Sequence, residues 1–214
     1  MEELWLAIDT STARGSLALA NGKTLDPCLE REFAADRSAS STLFQELELL
    51  QPEMKYVKKI VIGIGPGSYT GIRVAISAAI GLSLGIGADL VGISSLAALR
   101  EPAEEGLDRY IVIGDARRGT YYLAGVIGGK MAGAPLMEPP EQIAERLERP
   151  PFQDLAHFAF GEFLPGTPGA FPAFPSARRL LELARAQNPP AQKTLEPIYL
   201  RPPHITTPNP RKQV

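Results

Sequence analysis

The chain is poor in the residues from which reactive sites are most often built. Its 214 residues include one cysteine, Cys28, and two histidines, His157 and His204. A lone cysteine forms no internal disulfide and fits a reducing compartment. The histidines are far apart, and no His/Cys/Asp group has ligand spacing, so neither a metal site nor a cofactor is expected. There is no Gly-x-Ser-x-Gly elbow and no histidine placed to serve Cys28 as base. His157 lies in an apolar run and reads as a core residue. A dominant charge is lacking as well: 22 basic residues face 24 acidic ones. No general field for polyanions follows, and any nucleic-acid contact has to be local. Long hydrophobic runs are also missing. Val74 to Ala88 is uncharged but only 15 residues long, bracketed by Arg73 and Asp89 and diluted by Gly81, Gly85 and Gly87. A membrane-spanning helix needs about 20 apolar residues, so a buried helix is expected. The start, Met1-Glu2-Glu3-Leu4-Trp5, is acidic where a signal peptide is basic, and a cytoplasmic location is expected.

What is present is a run of short apolar segments separated by turns. Leu4 to Ile8, Gly15 to Ala20 and Arg31 to Ala35 read as three strands of a meander, with Asn21-Gly22 as a tight hairpin turn. Leu43, Leu47 and Leu50 recur at helical spacing, and Ser40 or Ser41 can cap that helix. Ile60 to Ile64 is too apolar to have a wet face and reads as a strand covered on both sides. Tyr69 to Gly85 reads as a helix, Leu90 to Ile93 as a strand and Ser95 to Arg100 as a helix. The pattern then restarts. Tyr110 to Gly114 leads into Asp115, Ala116-Arg117-Arg118-Gly119 and Thr120 to Ala124, as Leu4 to Ile8 leads into Asp9, Ala13-Arg14-Gly15 and Ser16 to Ala20. A half-length period of this kind argues for duplication. The expected division is residues 1–101, a smaller proline-rich second unit at 102–200, and a tail at 201–214, with the break at Glu101-Pro102. Within the second unit Glu141 to Leu147 and Ser176 to Ala186 read as helices, Leu155 to Phe160 as a strand, and Pro165 to Pro175 as loop.

The most specific segment is Gly65-Pro66-Gly67-Ser68-Tyr69-Thr70-Gly71-Ile72-Arg73, placed between a buried strand and a helix. Backbone amides at such a helix start can hold an anion, with Gly65 and Gly67 allowing close approach and Ser68 capping. A tight turn with nothing bound would use the same residues. It is not a Walker loop, because the Gly-Lys-Ser/Thr ending is absent. In the helix that follows, Gly71, Ala75, Ala78 or Ala79, Leu82 and Gly85 form a stripe of small side chains at steps of three and four. The other face carries Ile72, Ile76, Ile80 and Leu84, and a helix apolar all round is central in a core or shared with another chain. A subunit interface is the favoured reading. Asp9 and Asp115 each end a first strand, where they can serve a metal-bound phosphate or merely cap a turn.

On Leu6 to Ser11, Gly65 to Arg73, Asp115-Ala116-Arg117 with Gly119, and Pro197 to Arg201, the chain resembles the bacterial TsaB (YeaZ) family of tRNA threonylcarbamoyladenosine biosynthesis proteins. The resemblance implies an α/β fold of the duplicated actin-like (ribonuclease-H-like) type. It implies a non-catalytic scaffold that binds and stabilises TsaD, with the ATPase TsaE, in the assembly that transfers threonylcarbamoyl to adenosine of tRNA. It also implies self-pairing to a homodimer when TsaD is absent, and at most indirect contact with tRNA. The contact helices of the family map onto Ser41 to Leu50, with Leu43, Leu47 and Leu50, and onto Tyr69 to Gly85. At the positions where many members have His, Leu and Pro the chain has Ser38, Leu43 and Phe44, so it keeps the Leu and departs at Ser38 and Phe44. TsaD itself is longer and carries paired metal-binding histidines that this chain lacks. The alternative is a small actin-like kinase or ATPase binding Mg-ATP between its halves, with Asp9, Gly67 and Asp115 in the site. Ser11 and Arg117 stand there where such ATPases carry glycine. A weaker idea places Arg201, Arg211 and Lys212 on tRNA.

Overall fold

The computed structural model describes residues 3–35 and 39–201. Strict alternation of side chains organises the first sheet, which consists of β1 (Leu4–Asp9), β2 (Arg14–Asn21), β3 (Pro27–Ala34), β4 (Val57–Gly63) and β5 (Asp89–Ile93). The strand order is β3-β2-β1-β4-β5, with β1 antiparallel to β2 and parallel to β4, which is parallel to β5. Leu6, Ile8, Leu17, Leu19, Ile60 and Ile62 face one side. There they meet α1 (Ala39–Glu48) and α2 (Tyr69–Ile86). On the other side the same strands carry small residues, Ala7, Ala18, Ala20, Val61 and Val91. The period of two thus sorts bulk to one face and shortness to the other.

The second sheet repeats this wiring. It contains β6 (Arg109–Asp115), β7 (Tyr121–Ile127), β8 (Lys130–Met131), β9 (Leu136–Glu138), β10 (Ala156–Phe160) and β11 (Ala170–Ala173). β6 is antiparallel to β7 and parallel to β10, and β10 is parallel to β11. Asp9 and Asp115 end equivalent strands, and the fold is a duplicated actin-like one. The second copy is reduced. Where α2 links β4 to β5, residues 161–169 link β10 to β11 without a helix. One helix, α4 (Pro140–Leu147), covers the outer face through Ile143 and Leu147 against Ile111, Ile113 and Leu123.

Between the sheets lies α5 (Ala177–Gln187), packed against residues 95–98, and α3 (Arg100–Glu104) follows in the chain's crossing from one half to the other. Leu180, Leu181, Leu183 and Ala184 of α5 share one apolar cluster with Ala7, Ala18 and Val61 of the first sheet and Tyr110, Val112 and Phe158 of the second. The helix start is pinned where Ala177 N donates to the buried Ser16 Oγ at 2.9 Å. Residues 188–201 then return along the first half. Gln192 N donates to Leu90 O and Ile198 N to Ile64 O, both at 2.8 Å, and Leu195 is buried over Gly92.

Three local expectations differ from this structure. Glu101-Pro102, expected as the break, lies inside α3 with Pro102 buried, because proline is tolerated in a first helical turn. Pro165 to Pro175 is not all loop: β11 includes Pro172 on the sheet edge, where no ladder donor is needed on the outer side. Asn21-Gly22 does not make a two-residue turn. Asn21 Oδ1 accepts from Lys23 N and Thr24 N, and Leu25 takes a positive φ of 61°, which lengthens the connection. Ser38, His204, Arg211 and Lys212, with the rest of the expected tail beyond Arg201, lie outside the described residues.

The closed central layer yields a prediction. Ala7→Leu forces extra volume against α5 and should cost about 1–3 kcal/mol, read as a lower urea midpoint at unchanged slope. Ile127→Ala, at a position 46% exposed, should stay within about 0.5 kcal/mol of the parent. Equal effects of the two would contradict the packing described.

Candidate functional site

The β1–β2 hairpin brings Asp9 to the end of its strand and then seals it. Asp9 is fully buried. Its Oδ1 accepts from Ser11 N at 2.8 Å and Ser11 Oγ at 2.6 Å, and its Oδ2 accepts from Ser95 Oγ at 2.6 Å. A Cβ on Gly63 would lie 1.7 Å from Oδ2, so β4 needs glycine to pass the carboxylate. Burial pushes the Asp9 carboxyl above its ordinary range, opposed by the bonds from Ser11 and Ser95. The side chain ties the hairpin to Ser95, whose hydroxyl also accepts from Gly65 N at 3.0 Å. Asp9 does not line the cleft between the halves.

The Gly65–Gly71 turn is filled by this same hairpin. Ser68 N donates to Ser11 O at 2.7 Å, and Thr10 Oγ1 donates to Gly71 O at 2.8 Å. A Cβ on Gly67 would lie 2.2 Å from Ser11 O, and one on Gly71 would lie 2.1 Å from Thr10 O. The glycines therefore serve backbone-to-backbone contact within the chain. Ser68 caps α2 as expected, its Oγ accepting from Gly71 N at 3.2 Å. Gly65 is buried, and Gly67 and Ser68 border the cleft.

The cleft itself has a volume of about 870 Å³ and runs between the two hairpins. On the second hairpin Asp115 accepts from Arg117 N at 2.6 Å and pairs with Arg117 Nη1 at 3.1 Å. Arg117 and Arg118 sit at φ 66° and 58°, a left-handed pair that L side chains seldom adopt. Residues 198–201 bridge the mouth. Tyr199 stacks on Tyr69 with ring centroids 5.6 Å apart, and the Arg201 guanidinium donates to Thr120 Oγ1. Of the residues expected to form one anion site, the structure gathers Gly67, Ser68 and Asp115 at the cleft and leaves Asp9 and Gly65 behind its wall.

The expected partner stripe requires a larger correction. Gly71, Ala75, Ala78, Ala79, Leu43, Leu47 and Leu50 are all buried, and Leu82 is half-buried. Their small size lets α2 lie close on its own sheet, which consumes that face within the chain. The outward face of α2 is instead Arg73, Ser77, Gly81, Leu84 and Gly85, with Leu84 82% exposed. A Cβ on Gly81 or Gly85 would meet nothing within 4 Å. Phe44 of α1 and Leu49 just beyond its end are exposed as well. α2 is also long and apolar enough to cross a bilayer by length and composition, although its inner face rests on β4 and β5. Leu84 and the 73–77–81–85 spacing were readable from the sequence; the exposure of Phe44 and the burial of Tyr122 were not.

Comparison with known proteins agrees with this geometry. A family model described as TsaD: tRNA N6-adenosine threonylcarbamoyltransferase matches residues 38–143. The tRNA threonylcarbamoyladenosine biosynthesis protein TsaB of Escherichia coli K12 is 31% identical over 154 residues, 67% of this chain and 66% of that protein, just under two thirds. The Haemophilus influenzae TsaB is 27% identical, covering 92% of each chain. Among solved structures, YeaZ from Pseudomonas aeruginosa superposes with a TM-score of 0.71 at 29% identity, covering 92% of this chain and 99% of that one. A second P. aeruginosa structure, described as similar to peptidase YEAZ, gives 0.74 at 28% identity, covering 93% and 100%.

Asp9 gives this site a pH signature. With its folded value raised, the native state keeps a proton that the unfolded chain has released above about pH 4, so its contribution favours folding at acid pH and is lost as pH climbs. The stability of the parent minus that of Asp9→Asn, from urea titrations at a series of pH values, should therefore fall as pH rises through this window. A difference that grows with pH would mean the carboxylate is stabilised in its charged form.

Proposed function

The chain belongs to the TsaB (YeaZ) family, and we propose that it acts in tRNA threonylcarbamoyladenosine biosynthesis as a catalytically silent subunit that docks a TsaD-type partner. The observation that carries this reading is the outer face of α1 and α2. Glycine in a helix interior costs about 1 kcal/mol relative to alanine, and Gly81 gains no contact inside the chain that would offset it; Gly85, in the last turn of α2, likewise meets nothing. Beside them Leu84 and Phe44 are 82% and 55% exposed. A helix face with no side chain at two points, flanked by the exposed Leu84, lets another backbone approach closely.

The match of a TsaD family model to residues 38–143, which include both helices, supports a partner of related fold. Two related chains can meet through equivalent helix pairs, and the same face supports self-pairing when the partner is absent. On this reading the TsaE-type ATPase joins the assembled complex, in the cytoplasm, and the first-half unit carries the docking role. The rival reading, turnover of Mg-ATP between the halves, is disfavoured by Asp9. Its oxygens are engaged by Ser11 and Ser95, away from the cleft.

Two substitutions on α2 separate docking from folding. Leu84→Glu places a charge on the outer face and should weaken the complex with a TsaD-type subunit by at least about 2 kcal/mol, with the melting temperature nearly unchanged. Ala79→Glu places a charge in the core, at a fully buried position, and should unfold the chain. Light scattering of the mixed proteins reads the first effect and circular dichroism the second. A Leu84→Glu variant that still forms the full-mass complex would remove the outer face as the docking surface.

A further inference from the structure

Residues 188–201 are lightly held on the surface they cross. None of them belongs to a helix or strand, and among them Leu195 alone is buried, with its side chain against Gly92. β5 is an edge strand, and nothing of regular structure pairs with its outer side. Gln192 takes that place in part: its N donates to Leu90 O at 2.8 Å, and its Oε1 accepts from Gly92 N at 2.9 Å. Further on, Ile198 N donates to Ile64 O at 2.8 Å, and the Tyr199 ring lies on Tyr69, both rings being about half exposed.

The two ends are fixed elsewhere. At one, Asn188 closes α5 in a left-handed conformation, its N donating to Ala184 O at 3.0 Å, and Pro189-Pro190 bar the helix from continuing. At the other, Leu200 packs on the central apolar cluster and Arg201 donates to Thr120 on the second hairpin. Only the middle rests on the first half, through Leu195 and the bonds at Leu90, Gly92 and Ile64. Breaking those contacts removes no bond between strands of either sheet and no contact of α5. A segment with so few buried contacts belongs to the low-stability end of a fold.

We propose that residues 188–201 form a strap that lifts off the first half as one unit while both sheets stay folded, pivoting at Asn188 and Arg201 with Leu195 as its latch. Ile198 and Tyr199 line the cleft opposite the second hairpin, so lifting removes the bridge across the cleft mouth. It also bares Leu90 O and Gly92 N, which turns β5 from a covered edge into one open to an extended segment. The device goes beyond partner docking and does not depend on it.

Native-state hydrogen exchange on the full chain, from no urea to about 2 M, tests it. The amides of Gly92, Gln192 and Ile198 should share one opening constant to within about 3-fold. That constant should exceed the one for β1 and β4 amides by about 100-fold or more. Its dependence on urea should be less than about half of theirs, because lifting a strap exposes far less surface than unfolding does. Leu195→Ala should raise exchange at all three amides by about 10-fold or more, up to complete loss of protection, with the circular dichroism of the folded chain retained. If the strap leaves only when the sheets unfold, the three amides will instead take the opening constant and urea slope of β1 and β4, and the proposal falls. Three unrelated constants, no response to Leu195→Ala, or unfolding of the whole chain by that substitution would each overturn it too. None of these outcomes touches the docking reading, which is decided by the mass of the mixed complex.

Discussion

The structure depends on how closely α5 can approach the first sheet. Ala7, Ala18 and Ala20 keep that face shallow, and the buried bond from Ala177 N to Ser16 Oγ fixes the helix start against it. With the helix seated there, the side chains of the second sheet reach the same layer and the two halves share one core. Larger residues would move the halves apart and open the cleft whose walls both supply. A small chain gains from this arrangement, because two separate cores of about 100 residues each would bury proportionately less surface.

The same use of small side chains explains why the docking stripe had to be reassigned. Gly71, Ala75 and Ala79 are small because α2 must sit against β4 and the Thr10–Ser11 backbone, a demand internal to the chain. Gly81 and Gly85 answer to no internal neighbour. Glycine and alanine on one helix thus mark two different surfaces, about 100° apart around the helix axis. Composition alone does not separate them; the presence or absence of a facing atom does.

Much of the fold was legible because it rests on periodicity. Leu6, Ile8, Leu17 and Leu19 alternate with Ala7, Ala18 and Ala20, and the Asp9/Asp115 repeat marks equivalent strand ends. The Ser68 cap was legible for the same local reason. What resisted reading depends on contacts distant in sequence. Asp9 is buried through Ser95, 86 residues away. The strap at 188–201 is held by Leu90 and Ile64. β11 forms beside β10 even though Pro172 argues against a strand. The Tyr122 hydroxyl is isolated by the layer around it, and no feature of residues 120–124 announces this.

The duplication makes the final point, because its two copies have diverged in opposite directions. In the first, the hairpin aspartate turned inward and became a staple, with serines and a glycine fitted around it. The crossover kept its long helix, and that helix presents an apolar outer face. In the second, the aspartate stayed at the cleft in a left-handed turn beside Arg117, and the crossover shrank to a loop. Phe160, Gly161 and Phe163, at and after the end of β10, line the cleft. The retained helix in the first half leaves Leu84, Gly81 and Gly85 exposed on its outer side. One ancestral unit, copied and then reduced in one copy only, thereby separates surface contact from pocket formation within a single small core.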